Sequence, residues 1–145
     1  ETLAQCVGVV ITGGNVIILL NRMRMFGLTS MLSDRPVIAW SAGAMVLTDQ
    51  IVLFHDRMPE GRRDPELLGN GLGLVPGFLI LPDARRRLRL HDKTRLSLFC
   101  PRFSPRRCTL LDCESKLAIR DGRLETANAV RTIKPDGRIG KLVLP

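Results

Sequence analysis

The stretch that decides the fold is PVIAWSAGAMVL, residues 36–47. Its first half, Pro36 to Trp40, is apolar and β-branched, which is typical of a buried strand. Its second half contains alanines around a glycine, which favours a helix packed closely on that strand. Ser41 lies where the strand passes into the helix. The stretch therefore predicts a strand, a sharp turn that carries a hydroxyl, and a helix.

The N-terminal segment repeats this order. CVGVVIT (6–12) predicts a strand buried on both faces, ITGGN (11–15) ends in a glycine turn, and VIILLNRMRMFGL (16–28) predicts a helix that stops at Gly27. Two such units imply an α/β fold with a parallel sheet and flanking helices. Because α/β proteins bind ligands at the carboxyl ends of their strands, ITGGN and WSAGA are expected to share one crevice.

The remaining chain is less regular. HDRMPEGRRDPE (55–66) predicts a loop, and the segment from Pro82 to Phe99 predicts one basic amphipathic helix. Turn signals in RDGR and PDGR predict a small antiparallel C-terminal region. We interpret residues 1–145 as a single domain.

Composition excludes several classes of protein. With 45% hydrophobic and 25% charged residues the chain has globular composition, and no apolar run is long enough to cross a membrane. The N-terminus shows no signal-peptide pattern, so a cytoplasmic protein is expected. The cysteines have no zinc or redox spacing, and neither a metal nor another cofactor is expected. They are Cys6, Cys100, Cys108 and Cys113.

The net charge of +8 raises the question of an anionic partner. Nine of the 22 basic residues lie in 83–95 and 101–107, where only Phe103 could stack on a base. A solvated basic face is therefore favoured over a nucleic-acid partner.

Ser41 in this setting has two interpretations. It could simply cap the helix. In a nucleophile elbow, the turn would instead lift its hydroxyl above the sheet edge, and the amide of Ala42 would face a developing oxyanion.

ITGGN followed by WSAGA resembles the peptidase E (aspartyl dipeptidase) family and its cyanophycinase relatives, of the class I glutamine amidotransferase-like, flavodoxin-like fold. AWSAGAMVLTDQIVLFHDR and GLGLVPGFLILPDARRRLRL resemble type 1 glutamine amidotransferase-like members, and the similarity covers most of residues 7–115. The resemblance implies that Ser41 is the nucleophile and that Gly13 and Gly14 form the oxyanion hole with the Ala42 amide. Asn15 could cap the following helix and still help to form the site. A serine rather than a cysteine argues against ammonia transfer from glutamine.

The chain departs from the family at its catalytic base. The family histidine follows a proline, whereas here Asp83 follows Pro82. An aspartate is a poor base for a serine hydroxyl. His55 could replace the missing base, next to Asp56 at about the position of a family acid, or it could be a loop histidine paired with Asp56 or a backbone carbonyl.

Other residues near the expected site have weaker claims. His91, eight residues after Asp83, is expected on the protein surface and too far away to act as the base. Asp112 or Glu114 could supply an acid, and a role in a turn is equally consistent with the sequence.

The resemblance also begins late, at the strand that leads into ITGGN, whereas family members have further strands before it. We therefore expect an incomplete domain that lacks the N-terminal strands. Such a sheet would expose an apolar edge or face, which predicts self-association.

Three functions are compatible with these residues. The first is a serine hydrolase of peptidase E type that cleaves a short, acidic peptide or related amide through an acyl-enzyme at Ser41. The second is a catalytically inactive member that acts as a binding module, because Asp83 replaces the histidine. The third is a basic nucleic-acid-binding protein.

Overall fold

The protein is described by a computed structural model that covers residues 3–56 and 65–143. Short 3-10 turns lie at Leu3–Gln5 and Cys100–Phe103. The α-helices are α1 (Val16–Met25), α2 (Leu28–Leu32), α3 (Ala42–Val46), α4 (Ala84–Arg87) and α5 (Lys93–Phe99). The strands are β1 (Val9–Ile11), β2 (Val37–Ala39), β3 (Gln50–Leu53), β4 (Glu66–Asn70), β5 (Phe78–Pro82), β6 (Arg107–Leu111), β7 (Lys116–Arg120), β8 (Arg123–Asn128), β9 (Arg131–Ile133) and β10 (Ile139–Lys141).

The α/β class expected from the sequence is confirmed, but the strands form several small sheets. β1 and β2 pair in parallel through a crossover that contains α1 and α2. A mixed sheet has the order β10–β9–β6–β5, with β5 and β6 parallel. β3 pairs with β4 and β7 with β8, both antiparallel. The small antiparallel C-terminal region is therefore present, next to a parallel pair.

The core lies on β5 and β6. Every residue of β5 is buried, and Leu79, Leu81 and Leu110 have no exposed surface. Strands that are covered on both faces have continuous apolar sequences rather than alternating apolar and polar residues, and β5, with the sequence FLILP, is an example. β5 also contacts both α3 and β3, so it packs against the helix of the second strand–turn–helix unit and against the strand that follows this helix.

The glycine and turn signals are confirmed where the structure describes them. α1 ends just before Gly27, which has φ 60° and lies in the left-handed region that glycine favours. Asp121 and Gly122, with φ 48° and 72°, form the tight turn between β7 and β8. Most of the expected loop at residues 55–66 lies outside the described residues.

Two details of the sequence-based prediction are wrong. The expected helix from Pro82 to Phe99 is two short helices, because Pro82 is the last residue of β5 and Leu88 is extended. Asp92 then starts a new helix by accepting a hydrogen bond from the Arg95 amide. The first strand begins at Val9, so Cys6 is exposed and does not lie in the core.

Among the described residues, no helix combines the length and hydrophobicity that crossing a membrane would require. The incompleteness of the domain stays a prediction.

One face of the β1–β2 pair is apolar and exposed, so the prediction that the first strand is buried on both faces is wrong. Val10 lies opposite Ile38 in the parallel register, and Trp40 follows two positions after Ile38 on the same face. All three side chains are exposed. Since this face carries no charge, a second copy could dock on it without bringing like charges together, even on a chain of net charge +8.

We expect the protein to self-associate through this face and Ile38→Lys to shift it toward the monomer. A buried lysine pair at an interface would be unfavourable on both copies. Sedimentation velocity over a concentration series measures the effect. Ile18→Lys is the matched control, because Ile18 is also exposed but lies on α1. A wild-type chain that stays monomeric at all concentrations would contradict the prediction.

Candidate active site around Ser41

Ser41 occupies a strained turn between β2 and α3. Its backbone has φ 53° and ψ −125°, values suited to the first central residue of a type II′ turn, where glycine is usual. The amide of Gly43 donates to the carbonyl of Trp40 at 3.0 Å and closes this turn. The side chain of Ser41 makes no capping hydrogen bond to α3. The simple helix-capping interpretation of Ser41 is therefore wrong.

Small residues let the turn form. A Cβ added at Gly43 would lie 2.3 Å from the Ile11 carbonyl oxygen and 2.7 Å from that of Thr12. These atoms belong to backbone at the end of β1, which a side chain cannot displace cheaply. The neighbouring Ala42 is also buried. The start of α3 thus lies directly against the end of β1, and this close approach holds Ser41 at the sheet edge.

The glycine loop after β1 lies beside Ser41, as expected for two turns at one sheet edge. A Cβ at Gly13 would stand 3.1 Å from the Ser41 Cβ and 3.2 Å from its Oγ. Gly14 has φ 130°, and a Cβ there would meet no atom within 4 Å. The structure therefore brings Gly13 to the Ser41 hydroxyl and leaves open space at Gly14.

Asn15 caps α1, which confirms that part of its expected role. Its Oδ1 accepts hydrogen bonds from the amides of Ile17 at 3.0 Å and Ile18 at 3.1 Å. This fixes the direction in which the helix leaves the glycine loop. A direct contribution of Asn15 to the site stays a prediction.

His55 and Asp56 follow β3, but they are not paired with each other. The Nε2 of His55 lies 3.6 Å from the Glu66 Oε2 at the start of β4, and this nitrogen is buried without a hydrogen bond. The Oδ2 of Asp56 accepts a hydrogen bond from Arg87 at 2.6 Å. The expected pairing of His55 with Asp56 is therefore wrong, and among the described residues its charged partner is Glu66. A hydrogen bond of His55 to a backbone carbonyl stays a prediction.

Arg87 connects the segment after β3 to the end of β5. Its guanidinium binds Asp56, lies 4.8 Å from the ring centre of Phe54, and donates to the Pro82 carbonyl at 3.5 Å. The side chain is only 16% exposed, so these contacts are largely screened from water. Arg87 thus holds the segment of His55 and Asp56 close to the segment of Asp83.

Asp83, at the position expected for the family histidine, has an unusual backbone and an ionic partner. Its φ is 53° and its ψ 45°, in the left-handed region that aspartate tolerates better than most residues. Its amide donates to the Leu111 carbonyl at 2.7 Å, and its Oδ2 lies 2.6 Å from the Arg86 Nε. The carboxylate of Asp83 is therefore engaged by an arginine of its own helix.

The candidate residues therefore form two groups. Ser41 and Gly13 make the first. Asp56 and Asp83 contact Arg87 in the second, and His55 precedes Asp56 in the chain. Within residues 3–56 and 65–143, the Ser41 hydroxyl makes no hydrogen bond to a side chain that could act as its base. In that same part of the chain, no cluster of three or more His, Cys, Asp or Glu could hold a metal ion.

Asp112 supports the second group. Its Oδ1 accepts from the Arg85 amide at 3.0 Å, and its Oδ2 accepts from Arg131 at 2.8 Å. Burial alone would raise the pKa of Asp112, but these two donors outweigh burial and lower its pKa from the ordinary value. Asp112 thus ties the end of β6 to the start of α4 and to β9. His91 is exposed between α4 and α5.

Three residues of this region were not singled out from the sequence: Glu66, Arg86 and Arg87. The only signal was the run of three arginines after Asp83, which a basic helix face explains equally well. Which arginine binds which carboxylate depends on contacts across 31 residues of chain, as for Asp56 and Arg87.

The fold and the turn at Ser41 define an α/β protein with a serine at a strained strand-to-helix junction. The family model of Peptidase family S51 matches residues 1–126. The chain belongs to this family, the peptidase E and cyanophycinase family of serine-peptidase-type hydrolases. A search of curated proteins found no significant match.

Replacing Ser41 tests the strain directly. We expect Ser41→Gly to be more stable than Ser41→Ala by about 1 kcal/mol, because glycine adopts this backbone without the steric cost of a Cβ. Urea unfolding of both variants measures the difference. Ser33, with φ −62° and ψ −30°, is the matched control at which alanine should be the more stable replacement. Equal stability of the two Ser41 variants would contradict the inference that the backbone of Ser41 is strained.

Asp112→Asn should destabilise the protein at neutral pH by about 1.5–3 kcal/mol, because it removes a charged acceptor of two hydrogen bonds. Since the pKa of Asp112 is lowered on folding, its contribution is complete above the ordinary aspartate pKa and is lost as the pH falls through the lowered value. Urea unfolding across the acid range should therefore show the wild-type advantage shrinking as the pH falls.

Asp136→Asn is the control for Asp112→Asn. The pKa of Asp136 is also lowered, chiefly by the Arg138 amide, but this carboxylate is on the surface. If Asp136→Asn lowers the free energy of unfolding as much as Asp112→Asn does, a specific role for Asp112 in joining β6, α4 and β9 is contradicted.

Proposed function

We propose that the protein is a serine-type hydrolase of peptidase E type with Ser41 as its nucleophile. The observation that carries this proposal is the backbone of Ser41, a non-glycine residue with φ 53° in a turn where glycine is usual. Backbone strain of this kind costs about 1–3 kcal/mol and is concentrated at functional sites. A nucleophile elbow uses it to expose a hydroxyl at the sheet edge.

In the proposed reaction, the Ser41 Oγ attacks the carbonyl carbon of a peptide or amide, and a base takes its proton. The amides of Ala42 and of the Gly13–Gly14 loop donate to the oxyanion of the tetrahedral intermediate. Collapse of the intermediate breaks the C–N bond, the leaving amine takes up the proton, and water then hydrolyses the acyl-enzyme. The absence of side chains at Gly13 and Gly14 leaves room for the substrate carbonyl.

His55 is the base that we propose for this reaction. An imidazole suits proton transfer near neutral pH, whereas the Asp83 carboxylate is held by Arg86. The position of His55 beside Glu66 supports the assignment, since a carboxylate can stabilise the imidazolium that forms. Asp56, bound to Arg87, would orient the segment that carries His55.

The substrate that we propose is a short, acidic peptide or related amide. Arg85 and Arg86 are exposed on α4, directly after Asp83. Although each has a carboxylate neighbour, their exposed guanidiniums could also bind a substrate carboxylate.

The alternative is a binding module without turnover. It is favoured by the lack of a hydrogen bond between the Ser41 hydroxyl and any base within the described residues. Nucleic-acid binding has less support, because many arginines are engaged by carboxylates within the protein. They include Arg86, Arg87, Arg106, Arg120, Arg131 and Arg138.

Labelling with a small fluorophosphonate followed by peptide mapping tests the proposal. We expect slow labelling at Ser41 in the wild type, none in Ser41→Ala, and a large loss in His55→Gln. Asp83→His should accelerate labelling by about a hundredfold, the lower range for a positioned general base. Asp121→His is the matched control, because Asp121 is another aspartate at positive φ, with a value of 48°.

The outcomes separate the two functions. Labelling only after Asp83→His would indicate an intact turn in a protein without a base, and the binding module would then be the better description. No labelling in either protein would contradict the role of Ser41 as a nucleophile.

A further inference from the structure

A pocket outside the Ser41 site lies between the segment after α4 and the helix α5. Its floor is apolar, since Leu88, Leu96 and Phe99 line it and are each less than a tenth exposed. Leu98 stands at its rim and is 67% exposed. No residue of β1, β2 or α3 lines this pocket.

The pocket has a positively charged rim. Arg89, Arg95 and Arg102 line it, and none of its described lining residues is acidic. The guanidiniums of Arg89 and Arg102 form no ion pair or hydrogen bond with any described residue. The nearby Asp92 already uses its side chain to accept from the Arg95 amide at the start of α5. This rim therefore offers cations to a ligand that brings carboxylates.

The size of the pocket limits the apolar part of that ligand. Its volume is about 110 Å³. A cavity of about 150 Å³ holds one benzene molecule, so this pocket accommodates one side chain rather than a long acyl chain. A nucleobase would need an exposed ring on which to stack, whereas Phe99 is only 7% exposed.

We propose that this pocket binds a short acidic peptide segment that inserts one leucine-sized apolar side chain between flanking carboxylates. The apolar side chain would occupy the floor formed by Leu88, Leu96 and Phe99. The carboxylates would lie against Arg89 and Arg102 at the rim. This site does not depend on Ser41 or on hydrolysis.

Fluorescence anisotropy with the labelled peptide Glu-Asp-Leu-Asp-Glu tests the proposal on the full chain carrying Ser41→Ala, which prevents cleavage. We expect saturable binding that weakens with salt and weakens about tenfold when serine replaces the peptide leucine. Arg102→Glu should weaken binding by about tenfold, since it removes one exposed ion pair and adds a repulsion. Leu98→Ser should also weaken binding, because it removes apolar surface at the rim.

Arg123→Glu is the matched control, since it makes the same change of charge at an exposed arginine on β8. It should change the affinity by less than about twofold, the effect of a distant, screened charge. Circular dichroism checks that each variant is folded.

Three results would overturn the proposal. One is equal binding of the leucine and serine peptides. Another is an equal loss of peptide affinity in Arg102→Glu and Arg123→Glu, which would indicate nonspecific charge attraction. The third is an Arg102→Glu variant that loses affinity for phosphatidylserine vesicles or oligo(dT) but binds the peptide as tightly as the protein with Arg102 does.

Discussion

The contact between Gly43 and the end of β1 is the constraint on which the site depends. With no side chain at Gly43, the backbone of α3 can approach the carbonyls of Ile11 and Thr12 more closely than any other residue would allow. This approach packs the helix after β2 against the strand before it, and it forces the intervening turn to be tight. Ser41 therefore takes a backbone conformation that is unfavourable for a serine, and the surrounding packing maintains it.

Partly buried ion pairs organise the second group of candidate residues. Arg87 joins the segment after β3 to the last carbonyl of β5, and Asp112 joins the end of β6 to α4 and β9. Such pairs need not add much net stability, because desolvation offsets their attraction. Their value here is geometric, since loss of one partner would leave a charge without its counterion and release a loop.

These two features have different consequences for function. The strained turn at Ser41 is the feature on which the proposed nucleophile rests, whereas the arginines after Asp83 hold acidic groups near the expected position of the base. A catalytic reaction would need His55 to reach the serine hydroxyl. A binding protein would need only the crevice, with Gly13 beside Ser41 and open space at Gly14.

The sequence by itself determined the local features that depend on neighbours along the chain. Apolar runs before ITGGN and WSAGA predicted the parallel pair β1 and β2, and Asn15, Gly27 and the turn at 121–122 were recognisable because a cap or a positive φ restricts the residue type. The same reasoning placed Ser41 at a sharp junction and led to the family, which the family model confirms.

Only the tertiary structure decided the partners of the charged residues and the ends of the basic helix. His55 faces Glu66 rather than Asp56, and Pro82 remains in β5 because β6 pairs with it. The physical reason is that charge has no periodicity along a chain that would reveal its partner. A carboxylate binds whichever arginine the packing of β5, β6 and α4 brings within reach. Where several arginines are adjacent in the sequence, the sequence does not show which of them is the partner.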